Sequence, residues 1–188
     1  VAYRTENIAV GLLNRVQFQP DPNYRSYTGD LWGKAQLGPM QVEGEVAMVL
    51  GSGDLGNGAD DVSVSAFGTM LSFQGDVGDV TLGAELGWAS GDEDPDDGEL
   101  HTFTFDRDHD VGLLLFEQPM PTFEAAVANT TNNGRDLSGV LTGNAVRNAQ
   151  YMKPSLGYTP LEGVDTTASV LLARAAKTTD GAGRGYGA

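Results

Sequence analysis

The residues best suited to ligand chemistry lie in an acidic stretch, residues 92–110. It carries nine carboxylates and one basic side chain. Clustered carboxylate oxygens are the ligands that Ca²⁺ prefers, and Asp92, Asp94 and Asp96 alternate at its start. An EF-hand loop counted from Asp92 would require Gly at its sixth position and Glu at its twelfth, and neither position carries the required residue. Two interpretations therefore stay open, an irregular Ca²⁺ site and a solvated loop.

Few other patterns point to catalysis. Glu43 and Glu45 share one face of a predicted strand and could act as a carboxylate pair for glycoside hydrolysis. Two carboxylates on one strand face would also suit the wall of a channel. His101 and His109 are the only histidines and could be metal ligands, yet no G-x-S-x-G elbow accompanies them. Residues 51–56 match G-x-G-x-x-G, but poor helix formers follow, which favours a loop over a dinucleotide site. We predict that the chain is not an enzyme and has no cofactor, with Ca²⁺ at the acidic stretch as the one candidate.

The composition excludes several classes of protein. With 188 residues the chain could form one domain of ordinary size. Its net charge of -15 argues against nucleic acid as a partner, because phosphate binding needs clustered Lys and Arg. The absence of Cys excludes disulfides and thiolate chemistry. The 26 Gly residues exceed the usual share of about 7% and mark turns and crowded walls in a strand-rich chain.

Alternation of apolar and polar residues organises the chain, and it is typical of strands with one apolar face. In residues 78–89, for example, Leu82 and Leu86 face one way and Glu85 faces the other. Similar alternation predicts seven strands in all, at residues 7–19, 29–37, 40–50, 61–74, 78–89, 145–158 and 163–177. The apolar face changes partway along the strand at 61–74, which a β-bulge near Ala66 would explain.

Long strands with unequal connections predict an all-β fold, an antiparallel up-and-down transmembrane β-barrel. Tight turns are expected at 38–39, 75–77 and 159–162, and extended connections at 20–28, 51–60, 90–144 and from 178 onward. Helical periodicity is too weak to supply crossover helices, which disfavours parallel α/β folds. A soluble β-sandwich is the main alternative. It would explain the alternation, but neither the strand lengths nor the unequal connections.

Residues 109–117 depart from this pattern, because 111–116 are apolar on both faces. Such a segment is expected to be buried within protein. A wall strand here would also move the turn at 159–162 to the side of the long loops. We therefore predict that the whole loop 90–144 stays on one side of the membrane. It is expected to fold partly into the barrel lumen and to narrow the pore.

The polar faces of the predicted strands carry the side chains expected to line this pore. The predicted pore-lining residues are Arg15, Lys34, Glu43, Glu45, Glu85, Arg147, Tyr151 and Lys153. When Lys177, Asp30 and Asp165 are added to these eight residues, the wall has five basic and five acidic side chains. Such a mixed wall sets no ion preference.

Three segments occur together in the order of a known family: ELGWASGD at 85–92, FDRDHDVGLLLFE at 105–117 and NAQYMKPSLGY at 148–158. They resemble the alginate-export type of bacterial outer-membrane β-barrel and its relatives over roughly residues 30–180, and the middle segment is the most specific. The resemblance implies a porin-like barrel in a Gram-negative outer membrane, in contact with lipid and lipopolysaccharide. Such barrels have more than seven strands, so residues 1–188 are expected to be one domain truncated at both ends. Alginate exporters resemble one another in a strongly basic pore, and the mixed charges here depart from that pattern.

Three functions follow from these observations. The favoured one is a passive outer-membrane channel that conducts a hydrophilic solute or exports a polysaccharide. The second is an outer-membrane enzyme or adhesin that uses the barrel as an anchor, and the third is a soluble β-sandwich binding module. A channel predicts water-filled continuity along the polar face, whereas an enzyme predicts a closed pocket with two of its polar groups within hydrogen-bond reach.

Overall fold

The computed structural model of the chain describes residues 1–20, 23–53, 62–94, 97–106, 108–109, 111–112, 145–161 and 163–178. Within these residues the fold is all-β. The strands are β1 (Ala2–Arg4), β2 (Ile8–Pro20), β3 (Asn23–Leu37), β4 (Met40–Gly53), β5 (Val62–Val77), β6 (Val80–Ala89), β7 (Glu99–Leu100), β8 (Ala149–Leu161), β9 (Val164–Ser169) and β10 (Leu172–Ala175). None of the described segments forms a helix that is long and apolar enough to cross a membrane.

All ten strands belong to one sheet, in the order β1-β2-β3-β4-β5-β6-β8-β10. Neighbours along this path are antiparallel, and the two-residue β7 lies parallel to the start of β5. β9 pairs with β8 on the same side as β10, so the two form one strand interrupted at residues 170–171. The sheet is open, with β1 at one end and β9 and β10 at the other.

The predicted antiparallel up-and-down sheet is confirmed. Each predicted strand corresponds to a long strand of the sheet, except that the last is divided into β9 and β10. β1 and β7 were not expected, because three and two residues are too few to show alternation. The sheet does not close into a barrel within the described residues.

Three predicted connections are wrong. One is the turn at 159–162, because β8 continues to Leu161, which pairs with Val164 at the start of β9. Most of the expected loop at 20–28 is strand, since β3 begins at Asn23 and pairs with Pro20 at the end of β2. Its residues resembled a loop because the stretch begins with Pro, Asp and Asn, which are typical of turns. The turn after β5 falls at 78–79 instead of 75–77, and Gly78 has a φ of 64°, which Gly adopts without strain. The turn at 38–39 is as predicted.

The predicted β-bulge near Ala66 is also wrong. β5 keeps an unbroken register with β4 from Val62 to Gly75. The apolar residues at the start of β5 do lie on the other face of the sheet. Val64 and Ala66 are buried on the polar side, where loop residues such as Phe103 cover the sheet.

The two faces of the sheet differ in how their apolar side chains are buried. One face, here called the apolar face, carries large exposed hydrophobic residues from most of the strands. Six of them, from six different strands, are 43–54% exposed: Leu12, Leu31, Val46, Leu82, Leu156 and Leu172. The opposite face, here called the polar face, bears the charged residues and the buried hydrophobic clusters. A soluble sheet normally packs its apolar face on the core and exposes the other, so the usual arrangement is inverted here.

Candidate functional site

The polar face is the candidate site, because it gathers the side chains that sequence reasoning selected. Directly paired residues of antiparallel strands lie on the same face, so the register defines rows across the sheet. Seven of the eight predicted residues share this face: Arg15, Lys34, Glu43, Glu45, Glu85, Tyr151 and Lys153. The eighth, Arg147, precedes β8 and forms an isolated bridge with Thr104.

One row crosses the middle of the sheet from β3 to β8 and is here called the charged row. It consists of Lys34, Glu43, Ser72, Glu85 and Lys153. Lys34 Nζ lies 3.6 Å from Glu43 Oε2, and the Trp32 indole N–H donates to Glu43 Oε1 at 2.8 Å. Two basic and two acidic residues balance one another, so this row favours neither cations nor anions.

The next row toward the tight turns, here called the amide row, carries no charge. Gln36, Gln41, Gln74, Gly83 and Ser155 pair in succession across β3 to β8. Amides and hydroxyls both donate and accept hydrogen bonds. The turn end of the polar face is therefore suited to uncharged polar groups.

On the polar face toward the long loops, the described charges of β3 and β4 are acidic. Glu45 lies one row beyond the charged row, and Asp30 lies one row further. Asp30 Oδ1 is buried and has no hydrogen-bond partner among the described residues. A buried acceptor without a partner is costly, so this oxygen would be stabilised by water or by a donor group of a solute.

At the loop end, part of the acidic loop covers the polar face. Phe103 packs on Gly68, where a Cβ atom would collide with its ring. The rings of Phe103 and Phe105 meet edge to face with centroids 5.4 Å apart. Ala66 and Ala89 complete this cluster. The sheet therefore leaves a glycine-sized slot for a loop aromatic.

A second apolar cluster joins the loop to β8. Val111 and Val146 are each 1% exposed and pack with Ala149 and Tyr151. Residues 109, 111 and 112 belong to the segment predicted to leave the wall, and they are not in a strand. β6 and β8 pair directly from Val80 to Trp88, so no strand lies between them along this stretch. Residues 110 and 113–117 lie outside the described part of the chain.

Three polar side chains, here called the latch, connect loop and wall beside this cluster. Tyr151 Oη donates to Glu85 Oε1 at 2.7 Å, and His109 Nε2 lies 2.7 Å from Tyr151 Oη and 3.7 Å from Glu85 Oε1. Because the carboxylate can only accept, the phenol proton points to it, and His109 Nε2–H must donate to the phenol oxygen. The imidazole also stacks on Phe105 with centroids 4.7 Å apart. The latch therefore fixes the loop to β6 and β8.

Sequence reasoning placed Glu85 and Tyr151 on the polar face but missed the latch. It considered His109 only as a metal ligand. A signal was present in Gly87, which pairs with Tyr151 and whose Cβ would collide with the Tyr151 ring. A glycine opposite an aromatic residue indicates that the ring lies flat across the neighbouring strand, which leaves the face above it open to a covering segment.

The start of the acidic stretch is held by hydrogen bonds within the chain. Asp92 Oδ1 accepts from the Asp94 backbone N–H, and Asp92 Oδ2 accepts from the His101 backbone N–H, both at 3.1 Å. No group of three or more metal-ligating side chains gathers within the described residues, and Asp96 lies outside them. Ca²⁺ binding at Asp92, Asp94 and Asp96 stays a prediction.

Two further contacts tie this loop to the sheet. Lys177 Nζ lies 2.8 Å from Glu93 Oε2, and this hydrogen bond lowers the pKa of Glu93. His101 Nδ1 lies 3.0 Å from the Ser65 carbonyl, and Nε2 lies 2.9 Å from Glu99 Oε2. The bond to the Ser65 carbonyl, followed by the bond to Glu99, raises the pKa of His101 above 6.5 against the opposing effect of burial. Lys177 thus pairs with the loop, although the sequence suggested that it faces the lumen.

Comparisons with known proteins do not assign a family. No protein-family model matches the sequence, and no curated protein matches it.

Proposed function

We propose that this sheet is the wall of an outer-membrane β-barrel channel that conducts a hydrophilic solute or exports a polysaccharide. The observation that carries the proposal is the inversion of the sheet, with large apolar side chains exposed and charged side chains on the more enclosed face. In lipid, this arrangement satisfies both faces, because hydrocarbon covers one and water fills the space along the other.

The dimensions of the strands support a membrane-spanning role. β2, β3, β4 and β5 contain 13, 15, 14 and 16 residues. A tilted strand needs about 9–11 residues to cross the hydrocarbon, whereas strands of globular proteins usually have about 5 or 6. Soluble monomers also rarely expose contiguous apolar patches larger than a few hundred Å².

The solute path runs along the polar face. Arg15, Lys34, Glu43, Glu85 and Lys153 line it, and the mixed charges give weak ion preference. The loop that carries Phe103, Phe105 and His109 narrows the path at its far end, held by the latch. An outer-membrane location, contact with lipopolysaccharide and a polysaccharide as cargo are parts of the proposal that the resemblance to alginate exporters supports.

The latch favours a second candidate, an outer-membrane enzyme. A carboxylate, a phenol and an imidazole in hydrogen-bond contact can transfer protons. Glu85, Tyr151 and His109 would then act on a substrate held under the loop. This candidate predicts that Tyr151→Phe abolishes turnover of a glycoside or ester substrate, whereas the channel predicts conduction without turnover.

Cysteine accessibility tests the channel, because residues 1–188 contain no Cys and any Cys elsewhere in the protein can be replaced first. Leu71 and Ser72 are adjacent on β5 and face opposite sides, with Ser72 in the charged row. In planar bilayers that contain the protein at its full natural length, we expect a water-soluble thiol reagent to reduce the conductance of Ser72→Cys. The same reagent should leave Leu71→Cys unchanged, because lipid covers it.

The reverse pattern, or labelling of both variants in the absence of detergent, would rule out a lipid-facing apolar side. A protein that never conducts but still protects Leu71→Cys would point to the anchored enzyme or adhesin.

A further inference from the structure

A cavity of about 240 Å³ lies at the turn end of the polar face. It is lined by residues of β5, β6, β8 and β9, and two of them, Gln74 and Ser155, belong to the amide row. The side chains that matter for its chemistry are Gln74, Thr81, Ser155, Thr159, Asp165 and Thr167. Small ligand sites are commonly about 300–1,000 Å³ for drug-sized molecules, so this cavity fits a smaller solute.

Two glycines create the space. Gly83 pairs with Ser155, and Gly157 pairs with Thr81. A Cβ atom at Gly83 would collide with the Ser155 hydroxyl, and one at Gly157 would lie 3.2 Å from Thr81 Cβ. Each hydroxyl side chain therefore leans over a neighbouring strand that has no side chain at that point. Ser155 and Thr81 both line the cavity, and the Thr81 hydroxyl is directed toward Asp76 on β5.

The hydrogen bonds within the wall determine what it offers to a ligand. Thr81 Oγ1 donates to Asp76 Oδ1 at 2.6 Å, and Thr159 Oγ1 donates to Asp165 Oδ1 at 2.8 Å. A hydroxyl has one proton, so these two oxygens can only accept from a ligand. The carboxamide of Gln74, by contrast, has two N–H donors as well as an acceptor oxygen.

These groups select the class of ligand. A bound molecule must both donate and accept hydrogen bonds, as the hydroxyl groups of a sugar do. A carboxylate or phosphate would lie near Asp165 in the cavity wall and near Asp76, which accepts from Thr81, and none of the described wall residues is basic to offset these charges. A simple cation would satisfy the carboxylates but leave the Gln74 donors without an acceptor.

We propose that this cavity is a binding site for an uncharged sugar ring or a polyol of similar size. The inference rests on the proposed function, since a site at one end of the aqueous path would select the solute that enters it. The charge-balanced row beyond the cavity would then let a neutral solute pass without an electrostatic barrier. The solute class is therefore neutral carbohydrate, in contrast to a polyanion.

Three sugars that differ at one group provide the test: glucose, glucuronate and glucosamine. Saturation-transfer NMR with the protein at its full natural length, folded in detergent micelles, should give saturable glucose binding in the millimolar range. Glucuronate should bind at least about tenfold more weakly, because it places a carboxylate beside Asp76 and Asp165. Glucosamine binding tenfold tighter than glucose, or glucuronate binding as tight as glucose, would overturn the assignment to a neutral ligand.

Variants assign any binding to the cavity. Ser155→Ala should weaken glucose binding about three- to tenfold, as expected for one lost hydrogen bond. Gly157→Ala should weaken it further by filling the space beside Thr81. Thr28→Val provides the control, because Thr28 lies on the same face near the long loops and outside the cavity. Equal loss in the control, or no loss in either cavity variant, would contradict the proposal.

Conductance separates this inference from the proposed function. A protein that conducts ions but shows no saturable glucose binding refutes the sugar site and leaves the channel standing. A protein that binds glucose through Ser155 but never conducts refutes the channel and leaves the binding site.

Discussion

Two adjacent leucines on β2 provide a direct test of which face contacts lipid. Leu12 belongs to the apolar face and is 46% exposed, whereas Leu13 faces the polar side and is 61% exposed. Leu13 pairs directly with Asp30 on β3, and Leu12 pairs with Leu31. Replacing each leucine by Arg therefore makes the same chemical change at neighbouring positions in opposite environments.

The expected magnitudes differ between lipid and water. An Arg on the lipid face of a barrel costs about 2–4 kcal/mol near the bilayer midplane and about 0–1 kcal/mol near the interfaces. Leu12 is the fifth residue of a 13-residue strand, so we expect Leu12→Arg to cost about 2–3 kcal/mol. Leu13→Arg places a cation opposite Asp30, and a cross-strand pair of opposite charges contributes about 0.2–1 kcal/mol of stability.

The measurement is the free energy of unfolding in urea for the protein at its full natural length, folded into phospholipid vesicles. Leu12→Arg should reduce the folding equilibrium constant roughly 30-fold or more relative to Leu13→Arg, because about 1.4 kcal/mol corresponds to a factor of ten. If the sheet were a soluble one, both leucines would be surface positions and both changes would stay within about 0.5 kcal/mol. Two small and equal effects, or a larger loss for Leu13→Arg, would refute the assignment of the two faces.

Three further predictions concern the aromatic residues and the loop. In the Trp32→Phe variant, brominated lipid should quench the fluorescence of Trp88. In the Trp88→Phe variant, aqueous iodide should quench the fluorescence of Trp32. The opposite pattern would contradict the assignment of the two faces. Tyr151→Phe removes the central hydroxyl of the latch, which should destabilise the attachment of the loop by about 1–3 kcal/mol. The hydrogen exchange of loop amides should then become about fivefold faster or more. Unchanged exchange would mean that the latch does not hold the loop. The hydrogen bond to the Ser65 carbonyl, the first cause of the raised pKa of His101, stabilises the folded loop fully below pH 6.5, and this stabilisation is lost as the pH rises through the raised folded pKa. An NMR titration midpoint of His101 at or below 6.5 would contradict this.

Much of the sheet could be predicted because alternation is a local property of each strand. The register of β3, β4 and β5 follows from a tight turn at Gly38 and from the continuity of the apolar face, both visible in the sequence. The start of β3 was missed because polar residues alternate there with Arg25 and Tyr27, which do not stand out as an apolar face. Closure of the sheet is a different kind of property, since it depends on pairing between strands far apart in the chain.

The site was predicted only in part, because some of its features require two segments in contact. Glu85, Lys34 and Lys153 could be assigned to the polar face from the parity of their positions. The latch required knowledge that His109 reaches Tyr151 across 42 residues of sequence. The cavity required the register that sets Gly157 opposite Thr81, and no single strand shows this pairing.

The apolar residues of β5 clarify what the exposed apolar face implies. On the polar side, Val64 and Ala66 are 9% and 5% exposed, because Phe103 and its neighbours cover that end of the face. The chain therefore buries apolar surface with its own loop where it has one available. On the other side, Val46 and Leu82 stay 43% and 51% exposed across the middle of the sheet, and no described segment packs on them. Under the proposed function this surface lies against hydrocarbon, which would also account for strands of 13–16 residues and for charges gathered on the opposite face.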